Sequence, residues 1–276
     1  MEPIKNVNFY GLKLSIFSTD QLLAFIEMAI INKQKKVCYG YNFGMFPYFK
    51  KYPEIPQYAN QFDVSVADGR GYYLLAKILG FPVQSDISIP YLVERVLELA
   101  DKNKFSVMLL GAKEEINRKA CVNLQDKHPQ ARILPGKNGY FRENEEHEVV
   151  ELINAHHPDI LLIGISSPKK ERFAHKYKEE LNAKIIIPCG GVIDILAGHK
   201  KHTPKFIKKI GLAWFYRFVQ EPVRLFRDSI INLGSVLFGL IPVLLFKRYI
   251  LKKKDFSIPD FYKKGTIAPI SGLDDL

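Results

Sequence analysis

Through the first two hundred positions, short runs of aliphatic, β-branched and aromatic residues alternate with longer stretches in which apolar positions recur every three or four residues. The short runs cover residues 36–41, 63–66, 106–110, 132–134, 159–163 and 184–188, and the longer helical patterns include 89–103, 113–127, 145–156 and 169–181. Strands separated by helices need crossover connections, which make neighbouring strands parallel and cover both faces of the sheet. The pattern predicts an α/β, Rossmann-like domain over residues 1–199, with a mainly parallel sheet between two layers of helices.

Beyond residue 200 the pattern changes. His202-Thr203-Pro204 reads as the start of a helix over 205–220, Pro222 interrupts it, and a second helix is expected from Val223. Residues 230–246 are apolar apart from Asn232 and Ser235, and the run 233–246 is shorter than the ~20 residues that cross a bilayer. Lys247, Arg248 and Lys252-Lys253-Lys254 follow at once. An apolar helix flanked by cations reads as a monotopic or re-entrant anchor on an anionic membrane surface. A core helix is the plainer alternative, and exposed apolar surface here would also serve a homo-oligomer. The expected organisation is an α/β catalytic domain (1–199), a basic helical appendage with a membrane-docking segment (200–256) and a loosely structured tail (257–276).

Charge sharpens this picture. The net charge is +11, and residues 200–264 hold fifteen Lys or Arg against four acids, so this segment accounts for the whole excess. Such localised charge calls for a polyanionic partner. A nucleic-acid arm has no use for the apolar run inside it, so nucleic acid is set aside in favour of lipid. Cys38, Cys121 and Cys189 show no CxxC spacing, and no charged segment leads into an apolar run near Met1. A reducing, cytoplasmic location is expected.

Candidate chemistry falls just after the predicted strands, where ligands of open α/β sheets bind. Asp68 follows the 63–67 segment and precedes Gly69-Arg70-Gly71. Its carboxylate can act as a general base, or simply cap the helix that follows. Asn42 offers a donor and an acceptor after the first buried run. Gly111, Gly139-Tyr140 and Gly190-Gly191 would let backbone approach a bulky ligand, and Asp194 follows the last run closely. Arg217, Arg224 and Arg227 are spaced to share one face, and guanidinium forks suit phosphate oxygens and can stand in for a metal. No metal-ligand spacing, nucleophile elbow or P-loop is present, and Gly69-Arg70-Gly71 is only a partial dinucleotide fingerprint.

The order Asn42, Asp68-Gly69-x-Gly71, Leu110-Gly111, Gly139-Tyr140-Phe141, Pro168-Lys169-x-Glu171, Gly190-Gly191-x-x-Asp194, Gly211-Leu212-x-Trp214, Arg217 and Glu221-Pro222-x-Arg224-x-x-Arg227 resembles the WecG/TagA/CpsF glycosyltransferases. The resemblance implies an inverting, metal-independent transferase without cofactor. Its donor would be a UDP-sugar and its acceptor a polyprenyl-diphosphate-linked glycan at the cytoplasmic face of the inner membrane. It implies Asp68 as the base and a substrate-binding set of Asn42, Gly69, Gly111, Tyr140, Lys169, Gly190, Gly191, Asp194, Arg217, Arg224 and Arg227. The family's Thr-x-Asn reads Gly40-Tyr41-Asn42 here, its Pro-Lys-Gln-Glu reads Pro168-Lys169-Lys170-Glu171, an expected arginine falls on Asp86, and a Gly-x-Asp reads Ile89-Pro90-Tyr91. These changes leave the donor sugar open between an N-acetylmannosamine type and a hexose. Two other readings stand beside this one: an inactive, membrane-associated nucleotide-sugar-binding protein, and a nucleotide-dependent oxidoreductase on the same fold.

Overall fold

The computed structural model describes residues 4–201, 203–204, 206–207, 212–220, 232–252 and 255–263, with the backbone alone at 213, 214 and 217. Six parallel strands form the expected sheet: β3 (Lys36–Tyr41), β4 (Val64–Ala67), β5 (Ser106–Gly111), β6 (Arg132–Ile133), β7 (Ile160–Gly164) and β8 (Ile185–Pro188), in the order β4-β3-β8-β7-β5-β6. Two acids expected to open strands sit just before them instead. Asp63 accepts hydrogen bonds from the Val37 N–H and Lys36 Nζ, and Asp159 accepts from the Ser106 N–H and hydroxyl. Each carboxylate satisfies a donor at the start of a neighbouring strand.

The helices α1 (Thr19–Ile31), α4 (Ile89–Asn103), α5 (Glu114–Lys127) and α8 (Val192–Leu196) bury Leu22, Ile26, Val93, Val96, Leu124 and Ile193 on one face of the sheet. The opposite face is covered by α2 (Glu54–Gln61), α3 (Arg70–Ile78), α6 (Glu146–His156), α7 (Lys169–Tyr177) and a 3-10 helix at Phe43–Lys50. The connection leaving β5 runs outward to β6, while that leaving β7 runs the other way to β8. A crevice therefore opens beyond the carboxyl ends of these two neighbours, at the switch point of the sheet.

An antiparallel hairpin, β1 (Asn6–Phe9) and β2 (Leu12–Ser15), lies against β4 and adds an element absent from the strand pattern. Its Tyr10-Gly11 turn has positive φ at both residues. The helix expected over 205–220 is described as α9 (Ala213–Gln220) and at residues 206–207; the one expected from Val223 lies outside the described residues.

Residues 232–250 are helical, with π geometry at Ser235–Leu240 and Phe246–Ile250. Val236, Leu240 and Leu244 are fully buried in the same core as the hairpin and the 3-10 helix, whereas Phe238 is 85% exposed. Among the described residues no helix is long and apolar enough to cross a membrane. The tail expected to be loose from 257 begins with a short helix, Ile258–Lys263, whose Ile258 is fully buried and donates its N–H to the Tyr10 carbonyl.

Candidate active site

Asp68 extends β4 by one residue. Its N–H donates to the Tyr41 carbonyl, and it forms a lone parallel bridge with Ile87. It does not cap the next helix: α3 begins after Gly69, which has φ +95° and no capping side chain. Instead its Oδ1 accepts the Ile89 N–H at 3.0 Å, the first N–H of α4. A half-buried carboxylate thus rests on a helix N-terminus, where exposed donors and the helix dipole favour its charge.

The neighbouring strand makes room for this arrangement. A Cβ at Gly40 would lie 2.5 Å from Ile89 Cγ1 and 3.0 Å from Asp68 Cβ. The missing side chain at 40 and the large one at 89 are therefore one packing solution. The aspartate at 86 has its own partner, Arg70, at 3.7 Å across the same rim. Asn42 opens the 3-10 helix after β3 without a capping hydrogen bond from its side chain.

At the end of β8, Gly190 and Gly191 lie beneath Asp194 and two lysines. A Cβ at Gly191 would stand 3.9 Å from both Asp194 Oδ2 and Lys200 Nζ, and these two side chains pair at 3.7 Å. A Cβ at Gly190 would stand 3.7 Å from Lys170 Nζ. Lys170 is held at 3.5 Å by the fully buried Glu171, which also accepts hydrogen bonds from the Tyr39 hydroxyl (2.9 Å) and the Ser167 hydroxyl (2.8 Å). Burial and the Glu171 carboxylate push the Tyr39 phenol well above its ordinary pKa, so it stays a donor.

Lys169, to which the resemblance pointed, turns its ammonium to the loop that carries Tyr140. It donates to the Gly139 carbonyl at 3.4 Å and to the Phe141 carbonyl, and lies over the Phe141 ring. Burial lowers its pKa. It clips the 139–141 loop to α7, while Lys170, one position on and turned about 100° around the helix, is buried with its ammonium beside Gly190.

The ends of β5 and β7 meet without side chains. Gly111 has φ +148°, and a Cβ there would lie 2.4 Å from the Gly164 carbonyl oxygen. Asn117 Nδ2 donates to the carbonyls of Leu109, Gly111 and Lys137, stitching the strand end to the following loop. On that loop Tyr140 is 76% exposed, an aromatic face at the crevice mouth. Asp68, Asn42, Gly190, Gly191, Asp194, Gly111 and Tyr140 thus lie along one sheet edge, whereas Arg224 and Arg227 lie outside the described residues, and Arg217 is placed only as a backbone position in α9. Lys170 and Glu171 stood in the motif without a role of their own, because helical periodicity gives no reason to place a carboxylate or an ammonium inward, and Lys200, on the bend after α8, carried no signal.

The chain matches the model of the Glycosyl transferase WecG/TagA/CpsF family over residues 7–250. It belongs to this family. Relatives in three bacteria carry the name N-acetylglucosaminyldiphosphoundecaprenol N-acetyl-β-D-mannosaminyltransferase. The Bacillus spizizenii protein is 29% identical over 59% of this chain and 62% of its own length. That of Staphylococcus aureus is 29% identical over 73% of this chain and 81% of its own. The Bacillus subtilis protein is 26% identical over 57% of this chain and 60% of its own. The matched region thus spans less than two thirds of both Bacillus relatives.

Proposed function

We propose that this member of the WecG/TagA/CpsF family is an inverting glycosyltransferase that moves a sugar from a UDP-sugar to a polyprenyl-diphosphate-linked acceptor at the cytoplasmic membrane face. The observation that carries this reading is the Asp68 carboxylate, fixed by the Ile89 N–H at one end of a glycine-lined sheet edge. From β4 to β5 that edge crosses four strand spacings, about 19 Å. A nucleotide diphosphate-sugar lying along it would have its sugar near Asp68 and its base near Tyr140. The names of the relatives support the lipid-linked acceptor.

The reaction is a single displacement. Asp68 takes the proton of an acceptor hydroxyl as that oxygen bonds to the anomeric carbon, and the bond from that carbon to the UDP oxygen breaks with its electron pair leaving on the diphosphate. Lys170 and Lys200 lie where cations would meet the diphosphate, and Arg217, Arg224 and Arg227 would complete its neutralisation. The donor is drawn from the N-acetylmannosamine type or the hexoses. Around Asp68, Ile89 fills the space of a side chain at 40, and Arg70 pairs with Asp86, so a donor is met there by an apolar wall and an ion pair.

A panel of UDP-sugars offered with a polyprenyl-diphosphate-linked acceptor, read by mass spectrometry, tests this reading. One donor should add a single sugar, with its anomeric configuration inverted by NMR. Retention of configuration, or no transfer from any donor, would refute it.

A further inference from the structure

Where the hairpin turn, the end of α3 and the terminal helical stretch meet, a pocket of about 260 Å³ is lined by Asn8, Tyr10, Gly80, Phe81 and Arg248. It lies at the far end of α3 from Asp68, a nine-residue helix or about 13 Å away. The pocket is smaller than the ~300–1,000 Å³ of sites for drug-sized ligands, so it suits a single compact group rather than a nucleotide.

Its polar lining centres on Arg248 and Asn8, beside the rings of Tyr10 and Phe81. Arg248 is half-buried and has no ion-pair partner among the described residues, and no carboxylate lines the pocket. Gly80, with φ +79°, leaves space for the guanidinium, because a Cβ there would stand 3.0 Å from Arg248 Nη2. Tyr10 is 5% exposed, and its hydroxyl is shut off from solvent without a hydrogen-bond partner. Burial raises the phenol's pKa, and the Arg248 charge opposes that rise. Asn8 uses its side-chain oxygen to accept the Gly11 N–H at 2.6 Å, which leaves its amide to donate. A guanidinium and an amide, with no carboxylate beside them, together match the oxygens of an anion, and Tyr10 closes the wall behind them.

The surroundings identify the source of that anion. Ile78, Phe246, Tyr249, Ile250 and Leu251 are each about half exposed or more, and the Tyr249 hydroxyl donates to the Ile78 carbonyl, which joins the two elements at the rim. Lys247 and Lys252 flank them. Exposed apolar side chains interleaved with cations fit the boundary between headgroups and acyl chains.

We propose that this pocket holds the phosphate of an anionic phospholipid headgroup while the apolar rim enters the acyl layer. The choice of a lipid over a free phosphate rests on the membrane reading above; the anion site itself does not.

The test is co-sedimentation of the full chain with phosphatidylcholine vesicles, with and without phosphatidylglycerol. Lys252→Gln should weaken binding to the anionic vesicles by the ~5-fold of one surface cation. Arg248→Gln, with the same charge change, should weaken it at least ten times more. Asn8→Asp, which keeps the acceptor for the Gly11 N–H and replaces the amide donor with a second acceptor, should also weaken it by more than the Lys252 change. Equal losses from Arg248→Gln and Lys252→Gln would reduce the effect to surface charge and overturn the site. Arg248-dependent binding of inorganic phosphate by a protein that sediments no better with the anionic vesicles than with the neutral ones would make the ligand a free anion and overturn the lipid assignment. Transfer assayed in parallel with a short-chain, soluble acceptor keeps the two readings apart: its failure with intact vesicle binding counts against the transferase alone.

Discussion

Gly40 and Ile89 are 49 positions apart, yet each explains the other, and both touch Asp68. Gly40→Thr should therefore destabilise the protein by roughly 1–3 kcal/mol through overpacking. In the background of Ile89→Ala the same change should cost much less, and a double-mutant cycle by chemical denaturation measures that coupling. Additive effects would mean that the two side chains do not compete for one space. Asp68 was legible in the sequence because a polar residue ending an apolar run is a local signal. The role of Gly40 was not, because a clash across the sheet leaves no mark in its own neighbourhood. The cysteines give a second prediction at this scale. Burial raises the Cys189 thiol from 9.0 to about 12 and pushes Cys38 up as well. Both thiols should resist alkylation at pH 8 in the native protein and react readily once it unfolds. A thiol whose folded pKa is raised stabilises the fold below the unfolded value of 9.0, and that contribution is lost as pH climbs toward 12. Denaturation midpoints should therefore fall across that window, and less so in Cys189→Ala.

Among the elements, the sheet was the most legible, because strands buried on both faces read as continuous apolar runs ending in glycine. The hairpin was not, since its turn uses Tyr10-Gly11 rather than the Asn-Gly or Asp-Gly pair that usually marks positive φ. The crowding at the end of β5 makes Gly111→Ala a demanding change. A methyl 2.4 Å from the Gly164 carbonyl oxygen must part β5 from β7, and the loss should reach or exceed the ~1–3 kcal/mol of a strained position. The apolar run near the C-terminus was ambiguous because composition does not say which side of a helix meets the core. Burial divides it: Val236, Leu240 and Leu244 point inward, and Phe238 outward. Leu240→Ala should cost about 2–5 kcal/mol of folding stability, whereas Phe238→Ser should leave stability within about 0.5 kcal/mol. If Phe238→Ser nonetheless lowers vesicle binding, the outward face is the one that meets lipid.

At the scale of the whole molecule, cationic and apolar surface are gathered at the C-terminal end of the chain, while the carboxylate proposed as base sits at the sheet edge. Membership of the family and the parallel α/β fold follow from the order of motifs. The facing of Lys169 and Lys170 does not, because a motif fixes positions along a helix and not the side each one takes. The claim on which the enzyme reading turns is that Asp68 accepts a proton. Asp68→Asn isolates that property, since the amide oxygen can still accept the Ile89 N–H and preserve the start of α4. The decisive measurement is the turnover of Asp68→Asn beside its affinity for UDP. Transfer should fall by about 10²–10⁴ while UDP binds as in the wild type; turnover near the wild-type rate would contradict the account.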